Sequence, residues 1–310
     1  MLPSSTYQNF ALLRSILQDG SEAGIAKAVA YGKRAKLYPL AQATNPPQTT
    51  YVDVANIVFD STIPYDVRYF QSLDRIAQSE PWLERDRAMI DPLKLLGIEK
   101  GKSFNPDAKT RRALNAGAVE AHAWIDQRYQ DLFLSPFYEG ARWAFPSSPS
   151  AIKGQADDYA DHDDYAIFAR GTVYSVGFIG IKHLGSGQYY LMSVNDKQGH
   201  ELLGSRTYRL RFPPNVPVQQ YWSATAYDRA THAFIRNVPI AGRSSQEPIL
   251  QKNADGSTDI YFGPKAPSGK EANWIPTDPK REFEVMLRFY APEKVFFDKT
   301  WKLGDMEMMK

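Results

Sequence analysis

Residues 283–290 read FEVMLRFY, and this stretch decides the fold class of the second half of the chain. Its apolar residues alternate with a second set, formed by Glu284, Met286, Arg288 and Tyr290. A period of two is typical of a β-strand whose two faces differ. Just upstream, residues 253–277 read NADGSTDIYFGPKAPSGKEANWIPT. They predict another strand at 260–262 and then a polar loop that carries a tryptophan.

The same period of two begins after Gly187. Residues 189–194 and 207–212 alternate in this way, and residues 220–227 predict a further strand. Turn clusters, such as the two prolines at 213–214, separate these segments. Many short strands with no helical pattern between them imply an antiparallel β-sandwich.

The first 134 residues predict helices instead, because their apolar residues recur at helical spacing. One helix is expected over residues 22–37 with Ile25 and Val29 facing inward. Another is expected around residues 69–76, with Pro64 in its first turn. The longest is expected over residues 108–134, with a stripe formed by Leu114, Ala121, Ile125 and Leu132.

Two segments between these halves are less regular. Residues 135–156 have the proline and serine content of a loop, and for residues 164–182 a helix is favoured over a strand pair. The predicted fold class is therefore α+β, with a helical N-terminal half followed by an antiparallel β-sandwich of the jelly-roll kind.

Composition excludes several function classes. The chain has 37 basic and 35 acidic residues, and its formal net charge of +2 is too small to favour nucleic acid or a membrane surface. It has no cysteine, which removes disulfides, thiolate nucleophiles and cysteine-ligated metals. No membrane helix or signal peptide is encoded. We expect a soluble chain without a cofactor, and a homo-oligomer is one expected assembly.

A long, ordered series of motifs resembles a bacterial protein family of unknown function, domain-of-unknown-function family 1214. The series comprises LGIEKGKSFNPD (96–107), LLGSRTYRLRFP (202–213), QQYWSATAYD (219–228), residues 253–277, MLRFYAP (286–292) and FDKTW (297–301). In such proteins this domain follows a partner, family 1254, and the pair resembles a virus-capsid-like double jelly roll. The resemblance implies a fold and no established activity.

The resemblance also implies a domain division. Residues 6–20 (TYQNFALLRSILQDG) and the segment leading to YPL (38–40) resemble the end of the partner domain. Residues 1–53 are then the tail of a truncated first domain plus a linker, 54–156 the inter-domain helices, and 157–310 the jelly-roll domain. One hypothesis is a longer reading frame upstream of Met1. A signal peptide on it would direct the protein to the cell envelope or periplasm.

Four motifs that often carry chemistry fail here on spacing. GIEKGKS (97–103) is one residue short of a phosphate-binding loop and follows no strand, so a turn between helices is expected. The acidic cluster at 157–164 lacks the order of a calcium loop. The five histidines form no metal-binding pair, and no G-x-S-x-G elbow is present. No metal site is therefore predicted.

What remains is a set of candidate ligand-binding residues. Trp222 and Tyr227 lie on a strand that also carries hydroxyl groups, where rings and hydroxyls together can hold a sugar or another small polar molecule. The polar loop contributes Lys265, Glu271, Asn273 and Trp274. Arg288 and Arg170 either pair with a carboxylate of the protein or receive an anionic ligand. Ordinary sheet surface and structural ion pairs explain the same residues without a ligand.

Two interpretations stay open. The first is a binding or structural jelly-roll module that holds a small polar or carbohydrate-like ligand. The second is an enzyme that uses general acid–base chemistry, with Arg288 or Arg170 orienting a substrate carboxylate and Tyr227 or Glu271 moving a proton. Convergence of Arg170, Tyr227, Asn273 and Arg288 in one pocket would favour the enzyme.

Overall fold

The structure, a computed structural model, describes residues 5–8, 13, 15, 17, 21–54, 57–58, 60–157, 160, 163, 171 and 187–309. The chain divides into two compact units, residues 1–60 and residues 61–310. Among the helices of the described residues, none is long and apolar enough to cross a membrane.

The first unit contains helix α1, Glu22–Gly32, and a short 3-10 turn, Leu40–Gln42. Ser21 caps α1, because its side chain accepts a hydrogen bond from the backbone N–H of Gly24. Ile25 and Val29 are 47% and 50% exposed, so the prediction that they face inward is wrong. The helix also ends five residues before the predicted end at residue 37.

The second unit begins with helices. Its described helices are α2 (Val67–Ser79), α3 (Arg87–Ile90), α4 (Ala108–Leu132), α5 (Pro149–Ala156) and, near the C-terminus, α6 (Lys294–Phe297). The 3-10 helices Glu84–Asp86 and Asp91–Leu96 flank α3. The cap of α2 is Asp66, whose side chain accepts from the N–H of Arg68, so the helix begins three residues after Pro64 and Pro64 lies outside its first turn.

Two predictions about the connecting segments have different outcomes. The GIEKGKS segment is a turn, as predicted, because Gly97 and Gly101 both have a φ of +82°, a left-handed conformation that suits glycine. The loop predicted over 135–156 is wrong in its last eight residues, which form α5. Helix α4 begins at its predicted first residue and ends two residues before the predicted end at residue 134. It buries Leu114, Ala118 and Tyr129, whereas Ala121 of the predicted stripe is exposed.

In the described part of the chain, eight strands form two four-stranded sheets. Their bounds are β1 Gln188–Ser193, β2 Tyr208–Phe212, β3 Trp222–Asp228, β4 Gly242–Ser244, β5 Thr258–Gly263, β6 Trp274–Pro276, β7 Phe283–Tyr290 and β8 Glu307–Met308. The strand orders are β1-β7-β3-β4 and β6-β5-β2-β8. All pairings are antiparallel except that of β5 with β6. The α+β prediction is therefore confirmed, and the jelly-roll arrangement stays a prediction.

One apolar core joins the two sheets. Leu287 and Phe289 of β7 belong to it together with Leu210 of β2 and Phe262 of β5. These side chains lie on the inner face of each sheet, as the period of two requires. The intervening residues of β7, among them Glu284 and Arg288, therefore lie on the outer face of the first sheet. That outer face positions the candidate site.

Candidate functional site

Arg288 lies in the middle of the outer face of the first sheet. The strand register places it between Tyr190 of β1 and Ser223 of β3. Directly opposite residues of neighbouring strands share a face, so Tyr190, Arg288 and Ser223 form one row. Thr225 and Tyr227 follow on the same face of β3. We call Arg288, Tyr190, Thr225 and Tyr227 the Arg288 centre.

Hydroxyl groups and rings surround the guanidinium of Arg288. Its Nη1 donates to Thr225 Oγ1 at 3.0 Å and its Nη2 to the Tyr227 hydroxyl at 2.5 Å. The guanidinium carbon lies 5.6 Å from the ring centre of Tyr190 and 5.8 Å from that of Tyr227, within cation–π range. Tyr190, Thr225 and Tyr227 are each only 8% exposed, so the centre is largely removed from water.

No carboxylate of the described residues forms an ion pair with Arg288. A guanidinium has five N–H donors and stays charged at every physiological pH. Neutral hydroxyls and rings stabilise a buried cation less than a carboxylate with two parallel hydrogen bonds does. The Arg288 centre therefore has the charge and donors to bind an anion, and two hydroxyls already orient the guanidinium.

A buried cluster of Glu284, Tyr129 and His232 lies at the other end of the same outer face. Glu284 is 0% exposed, and its two carboxylate oxygens have different partners. Oε2 accepts from the hydroxyl of Tyr129 on α4 at 2.8 Å, and Oε1 lies 2.9 Å from His232 Nδ1. The rings of Tyr129 and His232 meet edge to face at 4.9 Å. Burial and the charge of Glu284 hold the pKa of the Tyr129 phenol well above its ordinary value, so it stays a hydrogen-bond donor.

Arg229 connects this cluster to an open cleft. Its guanidinium lies 4.8 Å from the centre of the Tyr129 ring and pairs with Asp126 at 2.6 Å. The cleft has a volume of about 730 Å³, within the range of ligand pockets. Glu201 and Glu282 line it, and partial burial together with the neighbouring Glu201 carboxyl raises the pKa of Glu282. Both glutamates are exposed residues, so this pair is open to solvent.

The comparisons with known proteins bear on the segment that carries this geometry. Residues 187–294 match DUF1214, a protein family of unknown function. The match confirms the resemblance to family 1214 over these residues. The DUF1214 segment contains the whole Arg288 centre together with Glu284 and His232, whereas Tyr129 comes from the helical region before it. No curated protein matches the chain significantly.

Two solved structures are similar to the chain at low identity. The VPA0106 protein from Vibrio parahaemolyticus is 19% identical, with a TM-score of 0.46 and 94% of this chain covered. A putative uncharacterized protein from Burkholderia cenocepacia is 14% identical, with a TM-score of 0.33 and 71% covered. The matches span 66% and 48% of those two proteins' own lengths. None of these descriptions names an activity.

The polar loop of the DUF1214 segment lies apart from the Arg288 centre. Asn273 is 3% exposed, and its amide makes three hydrogen bonds of 2.8 Å to the backbone of Gln251 and Asp259. Trp274 Nε1 donates to the carbonyl of Gly263 at 2.8 Å. These contacts hold backbone segments together, so the side-chain polar groups of both residues are already used. Their role as ligand contacts stays without support.

The remaining predicted site residues lie in three places. Glu271 and Lys265 are exposed on the loop, where a Glu271 carboxylate oxygen accepts from the N–H of Gly269 at 3.2 Å. Trp222 is a correction: it lies on the inner face of β3, 5% exposed and stacked on Phe212 at 3.8 Å between ring centres, so its ring serves the core. Arg170 falls outside the described residues. Of the predicted set, the structure brings Tyr227 and Arg288 together.

The contacts of Glu284 with Tyr129 and His232 were not predicted from the sequence. Glu284 was placed on the same strand face as Arg288, but Tyr129 and His232 were not connected with it. Their separations from Glu284 are 155 and 52 residues. One usable signal was an acidic side chain in a strand whose other residues are apolar or aromatic, because a buried carboxylate needs partners.

Proposed function

We propose that this protein binds a small molecule that bears a carboxylate, and that the Arg288 centre receives that group. One observation carries the proposal: a largely buried guanidinium whose partners among the described residues are hydroxyls and rings. Removing a charge from water is costly unless an opposite charge compensates it. A ligand carboxylate supplies that charge and accepts two parallel N–H bonds.

The charge balance of the outer face favours a monoanion. Among the described residues of β1, β3 and β7 that share this face, Arg288 is the single cation, and Glu284 is already bonded to Tyr129 and His232. A phosphate dianion would need further cations for the same compensation. A carboxylate matches one guanidinium in charge and in shape.

A thermal-shift screen of the full chain tests the proposal. Each acid of a small-carboxylate library is paired with its primary amide, which has a similar shape but no charge. At 100 times its dissociation constant a ligand stabilises by about 2.7 kcal/mol. We expect acids to raise the melting temperature and their amides not to do so. Arg288→Met should abolish the difference, and the exposed Arg68→Met, on α2, should preserve it.

Equal shifts for acids and amides, or acid shifts that survive Arg288→Met, would contradict the proposal. Because Arg288 is largely buried, Arg288→Lys serves as a second variant that keeps the charge. Lysine offers a point charge in place of the fork of a guanidinium, so weaker but measurable acid binding is expected. A folded Arg288→Lys protein with wild-type affinity would show that the guanidinium is not the receptor.

A general acid–base enzyme is the second candidate. It is supported by the 2.5 Å contact between Arg288 and the Tyr227 hydroxyl, which places a proton donor beside the carboxylate-binding group. Glu271 is not available for that role at this centre, because it lies on the separate polar loop. Mass spectrometry of each bound acid after incubation distinguishes the candidates: conversion that Tyr227→Phe abolishes indicates an enzyme, and unchanged acid indicates a binding module.

Two structural expectations are also proposals. We infer that residues 1–53 are the tail of a family 1254 domain, and the motifs at residues 6–20 and 38–40 support this. We also infer that the sheets form a jelly roll, which the two-sheet architecture supports.

Homo-oligomerisation likewise stays a proposal. Sedimentation velocity of the full chain tests it, since a monomer at all concentrations would contradict it.

A further inference from the structure

We propose that the cleft beside Arg229 binds an amino acid with an apolar side chain, through both its ammonium group and its carboxylate. This site is separate from the Arg288 centre. Ser223 of β3 lies opposite Arg288, and Arg229 comes just after the end of β3, about 20 Å farther along the same outer face. An amino acid is too short to span both sites.

Arg229 supplies the group that receives the carboxylate. It lines the cleft although it is only 8% exposed. Its guanidinium lies over the ring of Tyr129, and its Nη2 pairs with Asp126 at 2.6 Å. No other side chain among the described residues accepts a hydrogen bond from this guanidinium, so most of its five N–H donors remain available. Such donors on the wall of a cleft suit a ligand carboxylate.

Glu201 and Glu282 supply the group that receives the ammonium. Their carboxyl groups are in hydrogen-bonding contact with each other, which two carboxylates can be only by sharing a proton. Neither glutamate forms an ion pair within the described part of the chain, since the two arginines of the cleft are bound to Asp126 and Asp228. A ligand ammonium brings the positive charge that this pair of glutamates lacks.

The two receiving groups are neighbours on the sheet. Arg229 lies opposite Glu282, because the register of β3 and β7 continues by one pair and the N–H of Arg229 donates to the Glu282 carbonyl at 3.1 Å. The Cβ atoms of directly opposite residues are about 5 Å apart. This spacing suits an α-amino acid, whose ammonium and carboxylate are attached to the same carbon atom. A simple acid would meet Asp126 and the glutamates as like charges without an ammonium to offset them.

The cleft also has an apolar lining for the side chain of the ligand. Its apolar residues are Val119, Ala123, Leu203, Ala230 and Pro279. Val119 is 62% exposed and Leu203 is 40% exposed, so their surface is open to a ligand. The volume of about 730 Å³ admits a side chain as large as that of leucine.

Calorimetric titration of the full chain compares L-leucine with analogues that each lack one group. 3-Methylbutylamine lacks the carboxylate, 4-methylpentanoate lacks the ammonium, and glycine lacks the apolar side chain. We expect L-leucine to bind at least tenfold more tightly than 3-methylbutylamine, and about tenfold more tightly than glycine. Saturating 4-methylpentanoate should leave the affinity for L-leucine unchanged, because a simple acid binds at Arg288.

Variants assign the binding to the cleft. Glu201→Gln together with Glu282→Gln removes the negative charge from two exposed side chains, so this double variant should fold, and its melting curve checks this. It should weaken L-leucine at least tenfold and leave 4-methylpentanoate unchanged. Glu271→Gln, on the polar loop, is the control and should bind both like the wild type. Arg288→Lys should weaken 4-methylpentanoate alone.

The outcomes separate this site from the Arg288 centre. Equal affinities for L-leucine and 3-methylbutylamine, leucine binding that survives the double glutamate variant, or no leucine binding would overturn the amino-acid site. Equal affinities for L-leucine and glycine would overturn the apolar side chain of its ligand. Displacement of L-leucine by 4-methylpentanoate would contradict two separate sites. Leucine binding as expected, with no Arg288-dependent binding of 4-methylpentanoate, would overturn the proposed function alone.

Discussion

Removing the hydroxyl of Tyr129 is the sharpest test of the buried cluster of Glu284, Tyr129 and His232. Tyr129→Phe removes one oxygen atom and keeps the ring, so the edge-to-face contacts with His232 at 4.9 Å and Phe133 at 5.2 Å persist. Glu284 then loses the donor to its Oε2. Because Glu284 is 0% exposed, water does not replace that donor.

The expected cost follows from the kind of bond that is lost. A hydrogen bond to a charged group contributes about 1.5–3 kcal/mol, so we expect the free energy of unfolding to fall by about 2 kcal/mol. With an m-value of about 3 kcal/mol/M in urea, the midpoint should fall by about 0.7 M. Tryptophan fluorescence reports the transition, since all six tryptophans lie within residues 61–310.

Controls make this experiment decisive. Tyr69 on α2 is 42% exposed, and Tyr69→Phe should change the free energy by less than about 0.5 kcal/mol. A double-mutant cycle with Glu284→Gln should show coupling of about 0.5–3 kcal/mol, because the two residues are in contact. A loss below about 0.5 kcal/mol in Tyr129→Phe, or strict additivity with Glu284→Gln, would refute the cluster as described.

Three further predictions concern the rest of the second unit. Asn273→Ala removes three hydrogen bonds and should lower the free energy of unfolding by about 3 kcal/mol while leaving acid binding unchanged. Glu271→Gln is the exposed control on the same loop. Loss of acid binding without loss of stability would support the loop as a ligand site. Gly204→Ala should lower the free energy of unfolding by about 2 kcal/mol or more, because its Cβ would lie 2.0 Å from the Asp278 carbonyl oxygen. In the control Gly304→Ala the new Cβ meets no atom within 4 Å, so this variant should be neutral. Equal urea midpoints for the two variants would contradict the prediction. Hydrogen bonds from Arg209 and, to a smaller extent, Lys197 lower the pKa of Glu307. The ionised Glu307 therefore stabilises the folded state above about pH 4.3, and this stabilisation is lost as the pH falls through the lowered pKa. Glu307→Gln should lack that loss in acid unfolding curves, and parallel curves for the two proteins would refute the prediction.

The sequence predicts the strands well because their pattern is local. Residues 283–290 were predicted as a strand and form β7 with the same bounds, and their alternation places Arg288 on the face opposite the core. Helix α5 was missed because prolines and serines suggest a loop, although proline is favoured in the first turn of a helix. Ile25 and Val29 show the limit of periodicity, which identifies a helix without saying what covers its apolar face.

The candidate site was predictable only where two strands carry it. Tyr227 and Arg288 were assigned to suitable faces, but alternation does not give strand order, so their contact could not be derived. Asn273 looked like a ligand contact because a polar loop residue gives no sign in sequence that backbone groups will use its amide. The cluster of Tyr129, His232 and Glu284 depends on packing between distant segments, and such packing leaves no local pattern.

The most direct test of the central claim is the position of a bound acid. A crystal of the full chain soaked with 3-bromobenzoate gives an anomalous signal from bromine, and the density of the carboxylate can be placed from it. The account predicts the carboxylate within hydrogen-bonding distance of the Arg288 guanidinium. Bromine in the cleft next to Arg229, with no acid at Arg288, would contradict it.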